Sequence, residues 1–132
     1  MTTTHTTTLN KTNNTIAITT TKTINVDEMF ESLIGSDFHG CTRFVVPRSL
    51  EVDESLKKIR LKYLDVSQLD ENNYFVERTK TLSLNAIVNA FAELVANEQS
   101  HCGNYLLSDL DHSDSCFAFL VLQQAIYGEL HF

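Results

Sequence analysis

The run from Cys116 to Tyr127, CFAFLVLQQAIY, constrains this chain more than any other stretch, because Gln123 and Gln124 are its only polar side chains. It is too short to cross a bilayer, which takes about 20 apolar residues. A helix that is apolar nearly all round belongs at the centre of a protein, so the rest of the chain has to supply the elements that wrap it. Gly128 stands where a left-handed C-terminal cap is expected, and residues 129–132 read as a short tail or last strand.

The wrapping elements follow from local pattern. Asn25 with Glu28 has the offset of a capping box, and Val26, Met29, Phe30, Leu33 and Ile34 recur at helical spacing. A first amphipathic helix is predicted, with Gly35 as its left-handed cap. Residues 42–46, TRFVV, read as a strand stopped by Pro47, which cannot donate to a ladder. Residues 50–58 read as a loop or one helical turn. From Lys58 to Val66, Ile59, Leu61 and Tyr63 alternate with Lys58, Arg60 and Lys62, the pattern of a strand with one buried and one wet face. The polar loop QLDENN leads to a further strand from Tyr74 to about Leu82, so an antiparallel hairpin is expected. Ser83 suits an N-cap, and Leu84, Ile87, Val88, Phe91, Leu94 and Val95 trace a helix to about Glu98.

Helix, three strands, helix, helix is the order of an α+β domain: a three- to four-stranded antiparallel sheet with about three helices packed on one face. With 132 residues, 42% of them hydrophobic, there is material for one core and one domain, placed at residues 15–132. Residues 1–14 are Thr-rich and nearly free of apolar side chains, so they are expected to form a mobile tail. Thr15–Ile24 is dense in β-branched residues, which suits an edge strand, with a continuation of the tail as the alternative.

The candidates for chemistry are few. Asp109, Asp111, His112 and Asp114 form the densest cluster of ligand-type residues, but a calcium loop starting at Asp109 would need Gly and Glu where Asp114 and Leu120 stand. Capping of the 114–127 helix is the preferred reading of these acids. His39 and Cys41, with His101 and Cys102, offer four nitrogen and sulfur donors, but at no compact zinc spacing. The same residues are the material for a Cys–His nucleophile, which spacing alone does not establish. No phosphate loop, nucleophile elbow or dinucleotide fingerprint is present, and Cys41, Cys102 and Cys116 form no disulfide framework. No catalytic residue, cofactor or metal is therefore expected. The first fifteen residues hold no apolar signal region, so a cytoplasmic location is expected.

Charge carries the remaining signal. Seventeen acids against ten basic residues give a net charge of −7, which disfavours direct nucleic-acid or anionic-membrane binding. Lys58, Arg60 and Lys62 on one strand face are read as a solvated surface. After Lys80 there is no Lys or Arg, while Glu93, Glu98, Asp109, Asp111, Asp114 and Glu129 are all acidic. A field of one sign steers a partner of the opposite sign. Glu93, Glu98, Asp109, Asp111 and Asp114 are thus the candidate partner-binding residues, facing a basic protein surface. In size and charge the chain resembles the small acidic proteins of phages and plasmids, among them anti-restriction and anti-CRISPR inhibitors that cover nucleic-acid-binding surfaces of host proteins. The expected function is a non-enzymatic inhibitor or adaptor. The alternatives are a small Cys/His or metal-dependent hydrolase and a self-associating module such as a homodimer.

Overall fold

Helix α3 (Ser115–Tyr127) runs through the middle of the molecule, with Phe117, Ala118, Leu120, Val121, Leu122, Gln123 and Ile126 buried. This computed structural model describes residues 2–36 and 38–132, apart from the side chains of Thr2, Thr3 and His39. Around α3 pack α1 (Val26–Gly35), α2 (Leu84–Ala96) and an antiparallel sheet in the order β3 (Glu51–Asp53), β4 (Lys58–Leu69), β5 (Phe75–Leu82). Ile59, Leu61 and Leu82 are buried towards the helices, while Arg60, Lys62, Thr79 and Thr81 are exposed. The fold is α+β. Among the described residues seven antiparallel strands fall into sheets of two, three and two, so the main sheet has the lower of the expected strand numbers.

Local chemistry explains most boundaries. Asn25 caps α1 by accepting a hydrogen bond from the Glu28 amide at 3.1 Å, and Ser83 caps α2 by accepting from the Ala86 amide at 3.2 Å. Gly128 ends α3 in the left-handed region at φ 76°, as Gly does at no steric cost. Gly35 does not cap α1. It is the last helical residue, and Ser36 closes the helix instead, its hydroxyl donating to the Ser32 carbonyl at 2.7 Å.

Two further expectations are corrected. TRFVV is not a strand: residues Phe38–Arg43 form a 3-10 helix, and only Val45 makes a single antiparallel bridge, to Tyr63. Phe44 is fully buried against Phe119, Tyr127 and Phe132, so packing sets the course of this segment. Residues 51–53, read as loop or helical turn, are the edge strand β3. The Asp53 carboxylate accepts from the Leu56 amide at 3.0 Å and the Ser55 hydroxyl at 2.8 Å, which turns the chain back into β4.

The Thr-rich start differs most from the expectation of a tail. Thr2–Asn10 is strand β1, paired residue for residue with β2 (Thr15–Thr23), so the edge strand expected at residues 15–24 is present, with β1 as its neighbour. Thr has high β propensity, and the Asn10 side chain accepts from the Thr12 amide at 3.0 Å to start the turn. The absence of an apolar anchor still shows, since every described residue from Thr4 to Thr23 is exposed.

The C-terminal end of α3 is tied to the sheet and to the tail. Tyr127 donates its hydroxyl to the Leu64 carbonyl at 2.7 Å, and Lys80 donates to the Ile126 carbonyl at 3.2 Å. Burial pushes the Tyr127 hydroxyl up to about 12. Gln123, fully buried, donates to the Phe119 carbonyl at 3.1 Å and accepts from the amides of His131 and Phe132 at 3.0 and 2.8 Å. The tail is therefore held as a closing flap over Phe44 and not as a last strand.

Gln123→Leu keeps the volume but removes both acceptor contacts, so stability should fall by about 1–2 kcal/mol, the scale of lost buried hydrogen bonds. Hydrogen exchange at the amides of His131 and Phe132 should accelerate together with that loss. A second expectation concerns acid. The Asp65 carboxyl is held down at about 2, first by the Ser67 hydroxyl and then by Arg78. Its stabilising effect is present above the ordinary carboxylate range and disappears as pH falls towards 2. Acid titration of Asp65→Asn, followed by circular dichroism, should show a shallower loss of stability between about pH 4 and 2.

Candidate functional site

Residues 97–114 connect α2 to α3, and with the first turn of α3 they bring together His101, Cys102, Asp114 and Cys116. The segment opens with Glu98 in the left-handed region at φ 56° and folds into a miniature hairpin, β6 (Ser100–His101) against β7 (Tyr105–Leu106). Cys102 and Gly103 form its turn at φ 50° and 86°. Gly takes this conformation freely, but a non-Gly residue such as Cys102 adopts it at an energetic cost. Leu107 and Ser108 are then buried, and Leu110–His112 makes one 3-10 turn before Asp114 starts α3.

The hairpin turn lies against the start of α3, and four donors converge there. One nitrogen of His101, the sulfurs of Cys102 and Cys116 and a carboxylate oxygen of Asp114 all lie within 4.8 Å of one another. Asp114 is an N-cap, as expected, accepting from the Cys116 amide at 2.9 Å with one oxygen. Its other oxygen accepts from the Cys102 thiol at 3.0 Å, and the two sulfurs stand 3.8 Å apart. His101 Nδ1 is 3.4 Å from Asp114 Oδ1, yet neither ring nitrogen has a hydrogen-bond partner although the side chain is 1% exposed.

The electrostatics follow from these contacts. The Asp114 carboxylate, and after it Cys116, pushes the Cys102 thiol up to about 12. The thiol donor in turn holds Asp114 below the usual carboxylate range. A thiol pushed up in this way is a poor nucleophile near neutral pH, the opposite of the activated cysteine that a Cys–His hydrolase needs. As donors, two sulfurs, an imidazole and a carboxylate suit a borderline-soft divalent cation.

The sequence candidates are therefore redistributed. His101 and Cys102 come together with Asp114 and Cys116. Cys41 is buried in the hydrophobic core, and the side chain of His39 lies outside the described residues. In sequence Cys116 stands out only as one of three cysteines without a disulfide framework. The nearest thing to a signal is Asp-x-Cys at a helix start, twelve residues after an adjacent His–Cys pair.

The acidic residues also separate by role. Glu93 accepts from the Gln124 side chain at 2.6 Å, and Asp109 pairs with His112 at 2.8 Å. His112 stacks on Tyr105 with ring centroids 4.3 Å apart. Asp114 belongs to the donor cluster, whereas Glu98 and Asp111 stand exposed. The acid-only character of this surface is relieved at one point, where Lys22 of β2 reaches Ser108 at 3.5 Å beside Glu98.

Loss of the N-cap should be visible in stability. Asp114→Ala should destabilise the protein by about 1 kcal/mol, and Asp114→Asn by much less, since Asn caps a helix as well as Asp does. Thermal unfolding of the two variants side by side in the presence of a chelator, so that only the cap is compared, checks the order.

No family model matches the chain, and no curated protein or solved structure matches it either.

Proposed function

We propose that the chain is a non-enzymatic protein-binding module that engages a basic partner surface through the acids of residues 93–114. The observation that carries this reading is the position of Glu98 and Asp111. Both are exposed, Glu98 in the turn two residues past the end of α2 and Asp111 in the 3-10 turn, within a part of the chain that has no Lys or Arg. Charge fixed on ordered backbone loses less entropy on association than charge on a loose tail. A small, strongly acidic protein of this kind suits an inhibitor that covers the basic, nucleic-acid-binding surface of a host protein, as phage- and plasmid-borne anti-restriction and anti-CRISPR proteins do. The Cys102 thiol donates to Asp114 and makes no hydrogen bond with His101, which is not the Cys–His pairing that the thiol-hydrolase alternative needs.

A second reading, self-association, is favoured by the β1–β2 ribbon. Leu9, Ile16 and Ile18 share one face of it and are 56%, 63% and 67% exposed. A two-stranded ribbon without a buried face has little stability of its own, and a second copy would cover it. Light scattering across a concentration series separates the two readings.

The main reading is tested by affinity capture with wild-type bait and with Glu98→Lys/Asp111→Lys bait, compared by quantitative mass spectrometry. Neither residue caps a helix or joins the donor cluster, so the variant should fold normally. Basic proteins retained by the wild type should be lost from the variant. With the captured partner in hand, association should slow by roughly tenfold and lose salt sensitivity. Equal capture by both baits overturns the proposal.

A further inference from the structure

All four donors at the start of α3 lie within 4.8 Å of one another, and two of their separations match those of a tetrahedral zinc site. With Zn–S bonds of about 2.3 Å, two cysteine ligands of a tetrahedral ion stand about 3.8 Å apart, and with Zn–N and Zn–O of about 2.0–2.1 Å the other two donors stand about 3.4 Å apart. The observed separations are 3.8 Å between Cys102 Sγ and Cys116 Sγ and 3.4 Å between His101 Nδ1 and Asp114 Oδ1. These are two opposite edges of one tetrahedron. We infer that His101, Cys102, Asp114 and Cys116 bind one zinc ion, as a closed four-ligand structural site.

Two features of the chain that are otherwise costly fit this assignment. The buried imidazole of His101 has no hydrogen-bond partner, and a ligated Nδ1 removes one of its two unsatisfied nitrogens. The left-handed backbone of Cys102 turns its sulfur towards Asp114 and Cys116, and such outliers persist where a site requires them. The Asp114 carboxylate, already ionised as the helix cap, needs no proton removed to ligate. On binding, each thiol gives its proton to solvent as its sulfur takes the metal, so two protons leave per zinc, while His101 uses the lone pair of a neutral ring. A Cys102–Cys116 disulfide accounts for less, because it requires sulfurs about 2.05 Å apart and leaves His101 without a partner.

Four protein donors leave no open position for a catalytic water, so the ion is a clip and not a reaction centre. It closes the connection between α2 and α3, and thereby holds the turn that bears Asp109 and Asp111. The inference does not depend on the partner-binding reading: Glu98→Lys/Asp111→Lys should keep its zinc whatever happens to partner capture.

The test is elemental analysis of the full chain, purified under reducing conditions from zinc-supplemented medium, followed by chelation and titration of the apo-protein with Co²⁺. Expected are about one zinc per chain, a higher thermal midpoint with zinc than without, and a thiolate-to-cobalt charge-transfer band in the titration. Cys116→Ser, at a half-exposed position where the fold tolerates the change, should lose at least a hundredfold in affinity while keeping its circular dichroism spectrum. Asp114→Asn keeps the helix cap and should also weaken the metal, which a purely structural Asp114 would not do. Folded wild type without zinc and without the cobalt band overturns the inference. So does a reduced preparation in which Cys102 and Cys116 are joined as a disulfide, or full metal affinity in both Cys116→Ser and Asp114→Asn.

Discussion

The burial of Gln123 is the interaction on which the rest of the structure depends. A primary amide removed from water has to find partners, and a helix interior offers only one, the carbonyl four residues earlier. The side-chain carbonyl oxygen is satisfied by the two amides at the end of the chain, His131 and Phe132. That contact brings Phe132 to within 5.7 Å of Phe44, nearly parallel to it, and so covers the aromatic cluster on the face of α3 opposite α2 and its neighbours. One polar side chain thus holds the tail in place and seals one side of Phe44.

With α3 fixed, the two ends of the helix take on different tasks. Its C-terminal end is riveted to the sheet through Tyr127 and Lys80, the latter a cation placed where helix carbonyls point outward. Its N-terminal end gathers Asp114 and Cys116 under the β6–β7 turn. The sheet, by contrast, contributes its inner face to the core and leaves an outer face of Arg60, Lys62 and Thr side chains in water, with Arg60 4.0 Å from Glu51. The chemistry of the molecule is concentrated at one end of one helix.

What could be read in advance was whatever depends on neighbours in sequence. Asn25, Ser83, Asp114 and Gly128 announce helix ends because a cap acts within three or four residues, and the alternation from Lys58 to Tyr63 announces a strand because pleating repeats every two. Phe44 misled, since TRFVV has the composition of a strand but is bent by three aromatic rings that arrive from residues 119, 127 and 132. Strand β3 was too short to show a period. The donor cluster was hidden for a different reason. Its halves lie twelve residues apart and meet only because Cys102 and Gly103 both take the left-handed conformation, which nothing about a cysteine foretells. The ribbon at residues 2–23 was judged by what it can bury, whereas Thr propensity and the Asn10 turn decide its shape.

The central place of α3 has a consequence for the order in which the chain is completed. A ribosome delivers α1, the sheet and α2 first, each with an apolar face, and the helix that all three enclose emerges after them. Until residues 117–126 are clear of the exit tunnel, Met29, Leu33, Ile59, Leu61, Ile87 and Leu94 have no permanent partner, and the nascent chain exposes the very surface that chaperones recognise. A ribosome stalled before Phe117 would for this reason hold not a partial domain but a set of unpaired apolar faces.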